Sequence, residues 1–167
     1  MSAADASLND ALSNAVRAAA ARDDVRQAVQ DVYRDLAAEV EKRRPICIVS
    51  GRCCRFEEFG HRLYVTTLEL AAFMHGFESS PRPSQLIESI EKWDGAGCPF
   101  QVAKMCGVHS IRPFGCRVFF CDATSTQWQT DAYETFHARL KRLHESLEVP
   151  YFYVEWRQAL RCVILSA

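Results

Sequence analysis

Seven cysteines in the central part of the chain are the strongest chemical signal in the sequence. They are Cys47, Cys53, Cys54, Cys98, Cys106, Cys116 and Cys121. Thiolates bind zinc and iron tightly, and short irregular segments allow several of them to converge on one point. Glycine and arginine stand beside several of these cysteines, where glycine permits tight backbone turns and arginine offsets negative charge. The pattern predicts that these residues supply the ligands of a metal site.

Other candidates for the site are fewer and weaker. The remaining cysteine, Cys162, stands alone in an apolar C-terminal segment, so we expect it to be a buried core residue. Glu57, Glu58 and His61 follow the paired cysteines and could complete the site or move protons. We favour solvated carboxylates and a hydrogen-bonded turn histidine for these three. His109 is the best candidate for a nitrogen ligand because it lies between two of the later cysteines.

The donor set leaves the identity of the metal open. Iron–sulfur clusters are held by cysteine thiolates, and the large number of candidate thiols favours such a cluster. An all-thiolate zinc site needs only four ligands, and the spare cysteines could then surround it or form a second site. We therefore expect an iron–sulfur cluster, most simply of the 4Fe–4S type, with zinc as the alternative.

Two groups of motifs resemble the YkgJ-like cysteine-cluster family, which is described as a zinc- or iron-chelating domain. The segment Cys47-Ile-Val-Ser50-Gly51-Arg-Cys53-Cys54 is similar to the opening family pattern C-x-x-C-G-x-C-C. The second half of the family pattern, C-P-F/L…C…R-P…C-R-x-F, is matched at Cys98-Pro99-Phe100, Cys106, Arg112-Pro113, Cys116-Arg117 and Phe119. The resemblance covers about Cys47–Asp122, which is less than half of the chain.

The resemblance implies metal binding but does not fix a reaction. Members of the family are described as metal-binding proteins or iron–sulfur oxidoreductases, and a similar cysteine domain occurs in flagellin lysine methylases. Ser50 stands where the family has its second cysteine. A hydroxyl is a poor ligand for soft metals, so we expect Ser50 to hydrogen-bond a thiolate instead. Cys121, shortly after the main motif, is the candidate to replace the missing ligand.

The elements before the cysteines are predicted to be helical. One helical stripe extends to about Arg44 and is formed by Val25, Val29, Val32, Leu36 and Val40. Pro45 is expected to stop this helix, and Asp5–Leu12 is expected to form a separate first turn. The stripe could recruit a partner or form a dimer, but we favour packing on its own domain.

Short elements are predicted between the first and second groups of cysteines. Arg62–Val65 is a strand candidate, and Thr66–Glu69 is a capping box that opens a helix through about Gly76. After a proline-containing loop, Ser84 is expected to cap a second helix over Gln85–Trp93.

The rest of the chain is expected to form a hairpin, a turn and a final helix. Cys98–Val102 and Cys106–Ile111 are predicted to pair, and a turn then leads into a brief apolar segment. A helix follows, which Ser125 or Thr126 is expected to cap and Pro150 is expected to end. One face of this helix is formed by Trp128, Ala132, Phe136, Leu140, Leu143 and Leu147. Tyr151–Trp156 is read as a strand, and Glu155–Leu165 equally as a closing helix.

These elements predict a mainly α fold with a small irregular α+β, cysteine-rich, metal-binding core. In that core a short hairpin and turns lie between helices. We divide the chain into an N-terminal helical segment (1–44), the cysteine-cluster core (45–123) and a C-terminal helix with a closing segment packed on the core (124–167).

Composition limits the partners. The chain has 20 basic and 21 acidic residues, a balance that favours neither nucleic acid nor an anionic membrane surface. The opening segment carries Asp5 and Asp10 where a secretory signal has basic residues, and no apolar run approaches the length of a membrane span. We therefore expect a cytoplasmic protein, in which cysteines bind metal rather than form disulfides.

Three functions follow from these features. The first is a metal-binding protein, redox-related or serving as a metal store. The second is an iron–sulfur enzyme or electron carrier, so the sequence leaves open whether the protein is an oxidoreductase-like enzyme. The third is a zinc-braced interaction module without catalysis, in which the helix before Arg44 binds a protein partner.

Overall fold

The computed structural model describes residues 3–165 and is mainly helical, as the sequence predicts. The helices are α1 (Ala3–Ala20), α2 (Asp23–Arg43), α3 (Phe56–Phe59), α4 (Thr67–Glu78), α5 (Pro83–Glu91), α6 (Phe114–Val118), α7 (Thr126–Ser146) and α8 (Trp156–Leu160). Strand β1 (Tyr64–Thr66) pairs antiparallel with β4 (Tyr153–Glu155), and β2 (Gln101–Val102) pairs antiparallel with β3 (Met105–Cys106). A π-helical turn, Arg161–Leu165, follows α8.

Helix α2 packs on its own domain, which confirms the favoured interpretation of its apolar stripe. The side chains of Val29, Val32 and Leu36 are fully buried, the last two against residues of α6 and α7. The helix ends at Arg43, one residue before the left-handed Arg44 and two before Pro45. Because the stripe is covered within the chain, it is not a free surface for a partner.

Helix α1 is longer than the sequence suggested. It is continuous from Ala3 to Ala20, so the separate first turn predicted at Asp5–Leu12 is wrong. The side chains of Leu12, Val16 and Ala19 are buried at helical spacing. The error arose because small alanines, which allow close packing against a neighbouring helix, carry little apolar signal in the sequence.

A capping box begins α4, as predicted, and its glutamate also contacts the start of α6. The backbone N–H of Thr66 donates to Oε2 of Glu69 at 2.8 Å, and the Glu69 N–H donates to the Thr66 hydroxyl at 3.4 Å. The other carboxyl oxygen of Glu69, Oε1, accepts from the backbone N–H of Phe114 at 3.0 Å. Glu69 is therefore a buried link between the start of α4 and the start of α6.

An aromatic core lies beside the β2–β3 hairpin. Phe73 packs edge-on against Trp156 with ring centroids 4.9 Å apart, and Phe100, in the segment before β2, contacts both rings. All three side chains are almost completely buried. Burial of such large aromatic surfaces is a major source of stability, so this core fixes the base of the hairpin.

Several predicted boundaries shift. Helix α5 begins at Pro83, with Arg82 rather than Ser84 at its N-cap, because proline suits the first helical position. The hairpin is shorter than predicted, and its turn consists of Ala103 and Lys104, both with positive φ.

The later boundaries are also refined. The predicted turn before Asp122 contains the short helix α6. Ser125 is the N-cap residue of α7, but its hydroxyl donates to Asp122 at 2.6 Å rather than capping the helix. Both readings of the C-terminal segment hold in part, since β4 is followed directly by α8. Among residues 3–165, no helix is long and apolar enough to cross a membrane.

We predict that Glu69 makes stability depend on pH. Burial raises the pKa of Glu69 from 4.5 to about 7, so the folded protein keeps a proton that the unfolded chain has released over this interval. The contribution of Glu69 to the free energy of unfolding is therefore fully present below about pH 4.5 and is lost as the pH rises to about 7.

The measurement is denaturant unfolding at pH 5 and pH 8 of the parent, Glu69→Gln and the control Glu145→Gln, an exposed carboxylate on α7. The parent and the control should lose more stability between these pH values than Glu69→Gln. An equal loss in all three proteins would show that Glu69 does not titrate in this range.

Candidate metal centre

Two segments that are distant in sequence meet at Cys54. Arg52–Cys54 forms a single 3-10 turn after the left-handed Gly51. The backbone N–H of Cys98 donates to the carbonyl oxygen of Cys54 at 2.7 Å. A Cβ atom at Gly97, whose φ is +59°, would lie 2.7 Å from that same oxygen. Glycine at position 97 is therefore required for the two segments to approach this closely.

The β2–β3 hairpin brings a further cysteine to the same place. Cys106 is paired with Gln101 in the antiparallel register. The side-chain amide of Gln101 donates to the carbonyl oxygen of Gly51 at 2.8 Å, and the N–H of Gly107 donates to the carbonyl oxygen of Phe100 at 2.8 Å. The hairpin is thus bonded both to Gly51, which precedes the Arg52–Cys54 turn, and to Phe100 of the aromatic core.

Four thiols form one interacting group, which we call the thiol group: Cys53, Cys54, Cys98 and Cys106. Interaction with the Cys54 thiol is the main cause that lowers the pKa of the other three, to about 6 for Cys53 and about 7 for Cys106. The same contacts raise the pKa of Cys54. These contacts therefore favour the protonated form of Cys54 and the ionised form of its three neighbours.

Groups around the thiol group favour negative charge on sulfur. After Cys54, backbone N–H groups of Phe100 and Val108 help to lower the pKa of Cys98 and Cys106, respectively. The indole N–H of Trp156 is buried with no hydrogen bond of standard geometry to any described residue, and it also favours the Cys98 thiolate. The guanidinium of Arg112 lowers the pKa of Cys53 and Cys106, and its buried Nε has no hydrogen-bond partner in the described part of the chain. An anionic centre would suit these donors.

Cys116 lies next to the thiol group on α6. Burial raises the pKa of its thiol well above the ordinary value, and negative charge on Cys98, Cys106 and Cys53 raises it further. Cys116 is therefore held protonated beside the group, while Glu69 fixes the beginning of its helix through Phe114.

Cys47 and Cys121 lie outside the thiol group. Cys47 is exposed in the segment that follows α2. Cys121 is half-buried, and its sulfur is 3.1 Å from the hydroxyl oxygen of Ser50. The expected hydrogen bond between Ser50 and a thiol is thus confirmed, and its partner is the cysteine that we had considered as the replacement ligand.

The two carboxylates that follow the paired cysteines are exposed, and each forms an ion pair. Glu57 accepts from the backbone N–H of Gly97 at 2.8 Å and forms an ion pair with Arg157. These contacts, the first of them foremost, lower the pKa of Glu57. Glu58 is equally exposed and pairs with Arg55 at 2.7 Å. Glu57 is thus an exposed carboxylate, as predicted, and it also positions the residue preceding Cys98.

His61 and Cys162 agree with expectation, and the ligand role considered for His109 stays a prediction. His61 lies in a turn, with Nε2 3.4 Å from the carbonyl oxygen of Cys53, and its ring stacks on Phe119. His109 is exposed. Cys162 is buried in the main hydrophobic core with 6 % of its surface exposed, which confirms its structural role.

Residues 3–165 contain no group of three or more Cys, His, Asp or Glu side chains already arranged to hold a metal ion. The members of the thiol group instead interact through Cys54, which contacts each of the other three thiols. Sequence reasoning did not find the contributions of Trp156, Gln101 and Arg157. The isolated buried N–H of an indole has no local sequence pattern, and the other two act through partners far away in the chain.

We predict that Gly97→Ala separates the two halves of the thiol group. The parent glycine has positive φ and touches Cys54, whereas Gly60 has φ +65° and no atom within 4 Å of an added Cβ. Gly60→Ala is therefore a matched control that carries the backbone strain without the clash. In denaturant unfolding, Gly97→Ala should cost about 1 kcal/mol or more beyond the cost of Gly60→Ala. Equal losses would mean that the close approach at Cys54 is unimportant.

Comparison with models of known protein families, with characterised proteins and with solved structures finds no match in any of the three. The resemblance of Cys47–Asp122 to the YkgJ-like family stays a prediction that rests on its motif residues.

Proposed function

We propose that this protein binds a 4Fe–4S cluster through the thiolates of Cys53, Cys54, Cys98 and Cys106. The observation that carries the proposal is the meeting of these four thiols around Cys54, because such a cluster takes four cysteine ligands. Zinc, which also accepts four thiolates, is the alternative occupant. A redox role would follow from the cluster.

The chemistry of the donors fits this proposal. Metal ligands must be deprotonated, and three of the four thiols already have lowered pKa values. Binding would replace the contacts between thiols by bonds to metal and would release the proton held by Cys54. The sulfurs must move apart for this, and they lie on a single turn, a loop and a hairpin of two-residue strands.

The charged surroundings also fit. A cluster held by four thiolates carries net negative charge, and hydrogen bonds to its sulfurs tune its potential. The Nε of Arg112 and the indole N–H of Trp156 are buried donors beside these cysteines, and neither has a hydrogen-bond partner among the described residues. Cys116, held protonated at the edge, could act as a further donor to sulfur.

A structural zinc site is the second candidate, and one observation favours it. Strands β2 and β3 have only two residues each, and such a hairpin is not stable by itself. A zinc ion bound by Cys98 and Cys106 would brace the hairpin against the Arg52–Cys54 turn. Cys47 and Cys121 lie outside the thiol group and are not ligands of this proposed site.

Anaerobic purification with elemental analysis and visible spectroscopy tests the proposal. We expect brown protein that contains iron and sulfide. Cys54→Ser, Cys98→Ser and Cys106→Ser should each lower metal content and stability, because binding free energy at such a site adds to folding free energy. Cys47→Ser and Cys162→Ala are the controls and should keep the full metal content.

The possible results separate the candidates. Colourless protein with stoichiometric zinc would show that the thiol group binds a structural zinc ion and not a cluster. Folded protein that takes up neither metal after reconstitution would refute metal binding. Loss of metal in Cys162→Ala, with none in Cys54→Ser, would show that the thiol group has been assigned to the wrong residues.

A further inference from the structure

A pocket of about 330 Å³ opens beside the thiol group. Cys53 and Cys116 contribute to its wall, and the other lining residues are Phe56 of α3, Phe119 and members of the His61–Tyr64 segment, α6, α7 and β4. Its volume lies at the lower end of the range for small-molecule sites, which suits a ligand about the size of an amino acid. The metal proposed above would lie behind this wall, not in the pocket.

Six of the fifteen residues that line the pocket carry aromatic rings. His61 stacks on Phe119, with ring centroids 5.1 Å apart and planes inclined by 15°. Tyr64 stacks on Tyr153 with centroids 5.2 Å apart, and the hydroxyls of Tyr153 and Tyr133 are 2.6 Å apart. The contacts between these rings hold flat apolar surfaces in place. Such surfaces favour an aromatic ligand, which gains from stacking and edge-to-face contacts.

One cation and one anion line the same pocket. Arg62 and Glu134 are both exposed, and among the described residues neither side chain has a partner for a hydrogen bond or an ion pair. The contrast with nearby charges is clear, since Arg157 is paired with both Glu57 and Glu155. An unpaired guanidinium suits a carboxylate, and an unpaired carboxylate suits an ammonium group.

We propose that this pocket binds an aromatic α-amino acid. Its ring would lie among His61, Phe119 and the tyrosines. The carboxylate of the ligand would contact Arg62, and its ammonium group would contact Glu134. The combination of aromatic lining with one free charge of each sign selects a zwitterion over a simple aromatic acid or amine. This inference goes beyond the proposed metal binding and does not depend on it, because it rests on different side chains.

Calorimetric titration of the protein as purified, using three probes, tests the proposal. L-phenylalanine carries both charged groups, 3-phenylpropionate lacks the ammonium group and phenethylamine lacks the carboxylate. We expect L-phenylalanine to bind about tenfold or more tightly than either analogue, since each loses a charge-assisted hydrogen bond.

Two charge variants assign the contacts. Arg62→Gln should bind L-phenylalanine no better than the parent binds phenethylamine, and phenethylamine itself should be unaffected. Glu134→Gln should show the complementary pattern with 3-phenylpropionate. Tyr64→Ala should weaken all three probes, because it removes part of the aromatic lining. Arg82→Gln, an exposed change outside the pocket, is the control and should bind as the parent does.

The proposal is overturned if L-phenylalanine does not bind, if both analogues bind as tightly as it does, or if the two charge variants bind like the parent. Cys54 does not line the pocket. Cys54→Ser should therefore still bind L-phenylalanine if it remains folded by circular dichroism. This variant separates a failure of ligand binding from a failure of metal binding.

Discussion

The backbone hydrogen bond from Cys98 N–H to the carbonyl oxygen of Cys54, 2.7 Å long, joins the two halves of the candidate centre. It forms only because Gly97 has no side chain, since a Cβ there would strike the Cys54 carbonyl. Glu57 supports the contact by accepting from Gly97 N–H, and Arg157 holds Glu57 in turn. The position of the thiols thus depends on a short chain of contacts that begins in α8 and ends at Cys54.

The core gives this arrangement a rigid base. Phe73, Phe100 and Trp156 pack together beneath the hairpin, and the indole N–H of Trp156 faces the Cys98 thiol. One buried side chain therefore serves both packing and electrostatics. Glu69 also has two roles. It belongs to the capping box that begins α4, and it accepts a hydrogen bond from the N–H of Phe114, two residues before Cys116 in α6. The short, irregular centre is positioned by the regular helices around it.

The sequence predicted the parts of this fold that have local signals. The valine stripe of α2 and the Thr66–Glu69 capping box both have periodic or positional patterns, and both are present. Helix α6 was missed because five residues are too few to show a period. Similarly, the cysteines could be recognised as a set, but spacing alone could not show that Cys54 lies among three others. That arrangement depends on Gly97 and on hairpin register, which are long-range features.

Residue-resolved thiol alkylation measures the central claim most directly. Metal-free protein, prepared anaerobically, would be labelled with and without added zinc or reconstituted cluster, and each cysteine would be quantified by peptide mass spectrometry. The account predicts that metal protects Cys53, Cys54, Cys98 and Cys106 together, while exposed Cys47 stays fully reactive. Protection of Cys47 and Cys121 with continued labelling of these four would contradict it.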